Sequence, residues 1–197
     1  GVAIVLLRSL PAQEILQALF WGGVSATLCT VLAVGAFVPA LEKLTGVSTD
    51  QTLLELSDLN APLLRELSRE APGTYAHSIN VANLAEAACL GIGANPLLVR
   101  AGVYYHDIGK MANPQFFVEN QPRGRNPHDR LAPRRSAAII RDHVKDGLRL
   151  ASEHRLPRVI RDFIREHHGT TTISYFLDRA REAEPDLDLD PSDFAYP

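Results

Sequence analysis

His77, His106, Asp107, His143, His167 and His168 are the side chains of this chain best suited to chemistry. Imidazole and carboxylate together suit transition ions such as iron, manganese or zinc. A soft thiolate site is excluded, because Cys29 and Cys89 are the only cysteines, and no paired spacing marks a disulfide or a zinc knuckle. Both read as packing residues. The adjacent pair His106-Asp107 constrains the geometry: successive helical side chains diverge by about 100°, so one ion is awkward for both unless the helix is ending. A bridging carboxylate resolves this, giving one oxygen to each of two neighbouring ions. His167-His168 is a similar adjacent pair. A lone histidine on an apolar helix is more often a satisfied core residue than a ligand, so these positions carry weight only as a set.

The elements that must position them read as helices. Thr49-Asp50 ahead of Leu53, Leu54 and Leu56 predicts a short capped amphipathic helix. A second runs from Ala61-Pro62 towards Glu70. Pro72-Gly73 breaks the pattern, after which His77 to Leu90 has helical spacing and stops at Gly91. Asn95 caps the next helix, with Pro96 at its first position and its end around His106. Further helical patterns cover Pro133 to Ser152, Pro157 to His167 and Thr172 to Ala183. No alternating strand pattern occurs, so an all-α domain is expected. The stretch REAEPDLDLDPSD is acidic and aperiodic and reads as a loop leading into a further helix.

The N-terminal part is of another kind. Between Ile15 and Leu41 there is no Asp, Glu, Lys or Arg, and the run exceeds the roughly 20 apolar residues that cross a bilayer core. A buried soluble helix or a signal peptide fits this length and composition less well. The expected organisation is a tail of a preceding span at 1–8, a transmembrane helix at 15–41, a helical linker at 42–71, and a helical domain at 72–197 cut short at its C-terminus. Charges flanking the span fix its orientation poorly. The formal charge of -3 lies wholly from Glu42 onward. No basic face is available for a nucleic-acid polymer, so any phosphate ligand must be held locally.

The string Tyr104-Tyr105-His106-Asp107-Ile108-Gly109-Lys110, with His77 before it and Glu166-His167-His168-Gly169-Thr170 after it, resembles the HD-domain phosphohydrolases. Glu70-Ala71-Pro72-Gly73-Thr74-Tyr75, Phe116-Phe117-Val118-Glu119-Asn120-Gln121 and Asn126-Pro127-His128-Asp129 are similar to the seven-transmembrane HD family of bacterial cyclic-di-AMP phosphodiesterases. That resemblance implies a helical HD-domain bundle after the last span, cytoplasmic at the plasma (inner) membrane. It implies two divalent transition-metal ions, iron or manganese, on His77, His106, Asp107, His143, His167 and His168, with Asp107 bridging. The family's last ligand is an Asp beyond position 197, so the ligand set here is expected to be one short.

The implied reaction is two-ion hydrolysis of a phosphodiester with water, not a side chain, as nucleophile. Cyclic di-AMP would open to linear pApA. Asp107, His106 and Lys110 are the catalytic candidates. Lys110, His128 and Tyr105 are candidate substrate contacts, with a surface or capping role open for His128 and a core role for Tyr105. Asn120 and Gln121 carry amides for base edges or for closing their loop. The expected partners are a cyclic dinucleotide and the lipid bilayer, with an oligomer possible. Two alternatives stand: a nucleotide-binding signalling module without turnover, and a cyclic-di-GMP phosphodiesterase. The latter is weakened because Gly169-Thr170-Thr171-Thr172 follows the histidine pair and no Gly-Tyr-Pro occurs.

Overall fold

A computed structural model of the chain describes residues 11–122, 124 and 126–196. The chain divides into two units, Gly1–Val47 and Ser48–Pro197. The expected span tail at 1–8 lies outside the described residues. In the first unit, helix α1 runs Ala12–Thr45, 34 residues with none buried, closed by Gly46 at φ 71. That left-handed conformation is easy for glycine, which has no Cβ to clash. A helix of this length extends about 50 Å, more than the roughly 30 Å of a bilayer core. Its hydroxyls turn inward to its own backbone: Thr27 donates to Gly23 O at 2.9 Å and Thr30 to Ala26 O at 2.9 Å. No polar side-chain hydrogen is thereby presented to an apolar surrounding by these two residues. Leu16, Phe20, Trp21, Val31, Leu32 and Phe37 stand exposed along it, a surface suited to lipid and not to water. Among the described residues it is the one helix long and apolar enough to cross a membrane.

Among the described residues, the regular structure of the second unit is helical apart from one isolated antiparallel bridge, Thr172 to Ala195. Helices α2 (Asp50–Leu56) and α3 (Pro62–Glu70) precede α4 (Pro72–Ile92) and α5 (Pro96–Tyr105). Short 3₁₀ turns follow at Ile108–Ala112, Pro114–Phe116, Val118–Asn120 and Pro127–Arg130. Then come α6 (Pro133–Glu153), α7 (Arg158–Glu166), α8 (Ser174–Ala183) and a last 3₁₀ turn, Pro191–Phe194. The expected caps form: Thr49 Oγ1 accepts from Thr52 N at 3.4 Å, and Asn95 Oδ1 from Leu98 N at 3.0 Å. Pro72 does not break a helix but starts one, because a proline at the first position forfeits no intrahelical hydrogen bond.

Two apolar clusters hold this unit. The larger joins Leu53, Leu63, Leu64 and Leu67 to Ala101, Tyr104, Tyr105, Ile108, Ile160 and Ile164. The segment expected as a linker therefore contributes to the core, since α2 and α3 bury their leucine faces against the rest of the unit. The smaller cluster gathers Ala137, Phe176, Leu177, Ala180, Leu189 and Phe194. Helix α6 spans both, with Ala137 in one and Ala151 in the other. His143 lies between them and is buried.

The aperiodic acidic stretch is a loop between α8 and the last 3₁₀ turn, and its end is packed into the domain. Leu189, Phe194 and Tyr196 are buried, and Ile173 N donates to Phe194 O at 2.8 Å and Tyr196 N to Thr171 O at 3.1 Å. Burial of two aromatic rings and a leucine, each worth about 1.5–3 kcal/mol, offsets the entropy of ordering a loop that lacks helical periodicity.

Candidate metal centre

The site is built where helices stop. Helix α5 ends at Tyr105; His106 is its cap at φ -57, ψ -33, and Asp107 then turns to φ -110, ψ 14. This change of backbone lets neighbours that would diverge on a continuing helix point the same way. Helix α7 likewise ends at Glu166, with His167 as its cap and Gly169 at φ 53. Gly109 permits the approach of the 3₁₀ turn to α6: a Cβ there would lie 1.8 Å from His143 O and 2.4 Å from Gly147 N. Only a residue without a side chain brings Asp107 this close to His143.

The six expected residues converge. Asp107, His143, His167 and His168 form one group whose potential ligand atoms lie within 4.8 Å of one another; His77, His106 and Asp107 form a second on the same criterion. Asp107 belongs to both. Its Oδ2 is 3.1 Å from His106 Nε2 and 2.8 Å from Lys110 Nζ. Its Oδ1 is 3.4 Å from both His143 Nε2 and His167 Nε2. Burial pushes this carboxyl's pKa up, but the imidazoles of His106, His143 and His167 around it outweigh that and hold the group well below the usual range. Asp107 is thus a carboxylate, although only 2% exposed.

Three imidazoles are turned by their own helices. The Nδ1 atoms of His106, His143 and His167 sit 2.7, 2.5 and 2.9 Å from the carbonyls of Val103, Ile140 and Ile164. A carbonyl only accepts, so each Nδ1 carries the hydrogen and each Nε2 faces the site, the arrangement that orients metal-ligating histidines. The lone pairs of His143 Nε2 and His167 Nε2 then face each other at 3.2 Å, and both face Asp107 Oδ1. Asp107 Oδ1 is buried without a hydrogen-bond partner within full bonding distance. Converging acceptors of this kind repel unless a cation or proton lies among them, and an unsatisfied buried oxygen is costly. The donor set therefore fits a divalent cation.

The electrostatics of the neighbouring groups agree with that fit. Burial, then the neighbouring His167 and His143, pull the His168 pKa down to about 3, which keeps its ring neutral and able to ligate. Burial pulls His106 down, but the hydrogen bond and charge of Asp107 raise it overall; a cation at Nε2 would take the place of that proton. Lys110 is pulled down by burial and raised further by Asp107 and Glu119, so its ammonium persists beside the site.

Glu119 accepts from Lys110 Nζ at 2.8 Å and from Thr74 Oγ1 at 3.1 Å. Asn120 Oδ1 accepts from Thr74 N at 3.1 Å, capping the start of α4. A Cβ on Gly73 would fall 1.9 Å from Glu119 O, so the loop lies directly on the helix that carries His77. Asn120 is a clamp here, not a group free for a base edge.

Two expected substrate contacts are placed elsewhere. Tyr105 is 1% exposed in the larger core cluster, with its pKa raised to about 12 by burial and then by Asp58. It has no surface to offer a ligand, because α5 is enclosed by α2, α4 and α7. His128 is 5% exposed, its Nε2 donates to Phe116 O at 2.9 Å, and its ring packs between Phe116 and Phe176. It is a packing residue of the loop, neither at the surface nor facing the site. His154 is exposed, as its polar neighbours suggest, and so is Glu166. The residue that sequence patterns miss is Tyr196, whose ring lies 4.1 Å from that of His168 at an interplanar angle of 10°.

The HD domain family matches residues 74–192, which include all six converging side chains. The chain belongs to the HD domain family. Its HD pair is His106-Asp107, at the end of α5. A protein of Listeria monocytogenes serotype 1/2a (strain 10403S) described as cyclic-di-AMP phosphodiesterase PgpH is 49% identical over 168 residues, covering 85% of this chain and 23% of that protein. A protein of Bacillus subtilis (strain 168) with the same description is 42% identical over 189 residues, covering 96% of this chain and 26% of that protein. The chain thus spans about a quarter of the length of these curated relatives. A crystal structure of the L. monocytogenes PgpH HD domain aligns with TM-score 0.66 and 50% identity, over 70% of this chain and 63% of that one. The same domain in complex with cyclic-di-AMP aligns with TM-score 0.66 and 52% identity, over the same shares.

Proposed function

We propose that this chain is part of a membrane-anchored, metal-dependent phosphodiesterase that hydrolyses cyclic di-AMP to pApA, with its HD domain in the cytoplasm. The observation that carries the reading is the convergence of two histidine groups on one buried carboxylate, Asp107. Identities of 42–49% to two PgpH phosphodiesterases support the substrate class, as does a structure of a domain 52% identical to the aligned region in complex with cyclic-di-AMP. The apolar helix Ala12–Thr45 supports the anchor.

Two divalent ions, iron or manganese, would be held by His77, His106 and Asp107 on one side and by Asp107, His143, His167 and His168 on the other. When bound they supply Lewis acidity towards the phosphoryl oxygens and activation of water. The chain's own groups do the rest. Asp107 stays ionised and offers one oxygen to each group. His106, His143 and His167 present Nε2 because their Nδ1 hydrogens are engaged. Lys110, held by Asp107 and Glu119 at 2.8 Å each, keeps a positive charge beside the site. Water adds to one phosphorus, the bond to the 3′ oxygen breaks, a proton from the water ends on that oxygen as a 3′ hydroxyl, and the ring opens to a linear dinucleotide with a 5′ phosphate.

Incubation of the full chain, in detergent micelles with manganese, with cyclic di-AMP and in parallel with cyclic di-GMP tests this by chromatography of the products. The expected result is pApA from cyclic di-AMP and much slower opening of cyclic di-GMP. Faster opening of cyclic di-GMP would contradict the base assignment. Binding of cyclic di-AMP with two ions present and no linear product would make the chain a nucleotide-binding signalling module instead.

A further inference from the structure

Four histidines carry an orienting contact within this centre, and one of them is held differently from the rest. His106, His143 and His167 are each fixed through Nδ1 to the carbonyl three residues earlier. His168 follows His167 beyond the end of α7 and, among the described residues, makes no side-chain hydrogen bond. Its ring contacts are His167, tilted at 4.0 Å and 45°, His143, edge-on at 5.1 Å, and Tyr196, the one of the three stacked face to face, at 4.1 Å and 10°.

Tyr196 is itself delivered with care. Its backbone N donates to Thr171 O at 3.1 Å, three residues beyond His168. Phe194, fully buried in the smaller cluster, anchors the turn before it. Arg134 Nη1 pairs with Asp193 at 2.5 Å, and Arg141 Nη1 donates to Asp193 O at 3.3 Å. Both arginines project from α6, the helix that carries His143. The segment from Leu189 to Tyr196 is therefore a strap tied to α6 and to 171–173, and its aromatic end covers one face of His168. The phenol is buried, so the contact is ring on ring.

We infer that Tyr196 is a positioning residue for His168: its stacked ring does for this imidazole what the Nδ1–carbonyl bonds do for the other three, fixing the plane in which it can ligate. An imidazole at a helix end, free to rotate about χ1 and χ2, would lose that freedom on binding a cation; a ring already held flat has less to lose. The inference rests on the two-ion reading of the centre.

Manganese titration of the full chain in detergent micelles, followed by electron paramagnetic resonance, reads two binding steps in the native protein; the His77→Ala background assigns the step that belongs to the His143, His167 and His168 group. Tyr196→Ala is expected to weaken that step on the order of tenfold, the size typical of losing an orienting partner, while the other step changes by less than about twofold. Tyr196→Phe keeps the ring and should match the native chain. Should Tyr196→Ala fail to fold by circular dichroism, Tyr196→Leu decides, since it keeps apolar volume without a flat ring and should weaken the same step. The inference is overturned if both steps weaken alike, if neither moves, if Phe is as weak as Ala, or if Leu matches Tyr. Absence of any manganese binding by the native chain would instead overturn the metal reading on which it rests.

Discussion

The two sides of the centre differ in how they are held. His143 is buried mid-helix on α6, and with His167 and His168 it is packed among Phe117 and Tyr196. His77 is exposed on α4, with its ring 5.8 Å from that of His106. The enclosed side offers four ligand candidates and the open side three. A closed ligand set suits firm retention of an ion, and an open one leaves positions for water and substrate. The contrast teaches that the fold builds one candidate ligand group into its core and leaves the other open to solvent.

The largest effect is expected from the residue both sides share. Asp107→Ala should abolish both binding steps and lower turnover of cyclic di-AMP on the order of a thousandfold or more, because each ion supplies several kcal/mol of charge stabilisation. Survival of one step at native strength would show that the sides are independent.

Next come the histidines that define the contrast. His143→Ala should remove the enclosed step and also lower the melting temperature, since it empties a buried position beside Asp107 and leaves a carbonyl at Ile140 without its donor. His77→Ala should remove the open step and leave the melting temperature nearly unchanged, as an exposed side chain contributes little packing. Equal melting losses in the two variants would erase the distinction.

A smaller effect tests the joint between the HD turn and α6. Gly109→Ala places a methyl 1.8 Å from His143 O, an overlap with backbone that no rotamer relieves. A loss of about 1–3 kcal/mol in denaturant unfolding is expected, with weaker metal binding on both sides. The smallest effect belongs to Tyr105→Phe. A core ring without its hydroxyl should leave KM for cyclic di-AMP unchanged, and a several-fold rise in KM would return Tyr105 to the substrate site.

Much of this architecture is written locally. Thr49, Asn95 and Pro96 mark helix starts because capping depends on residues within one turn. Four of the six ligand candidates are legible because the HD string and the His167-His168 pair are local patterns; His77 and His143 are read only through the family resemblance. What escapes is whatever depends on distant contacts. Leu53, Leu63 and Leu67 read as amphipathic faces, yet nothing in their spacing says that these faces are covered by α5, α4 and the first 3₁₀ turn and not by a joint to the membrane. Tyr105 and His128 lie beside or within chemically suggestive strings, but their burial is decided by neighbours on α2, α7 and α8. Tyr196 is invisible for the same reason: its stretch has no periodicity, and its role exists only because Phe194 and Asp193 fasten it to α6.

The most direct measurement is the metal content of the purified full chain, by inductively coupled plasma mass spectrometry after manganese loading and desalting, for the native protein and Asp107→Ala side by side. Two ions per chain in the first and none in the second is the predicted result. A single ion in the native protein, or an ion kept by Asp107→Ala, would contradict the shared carboxylate.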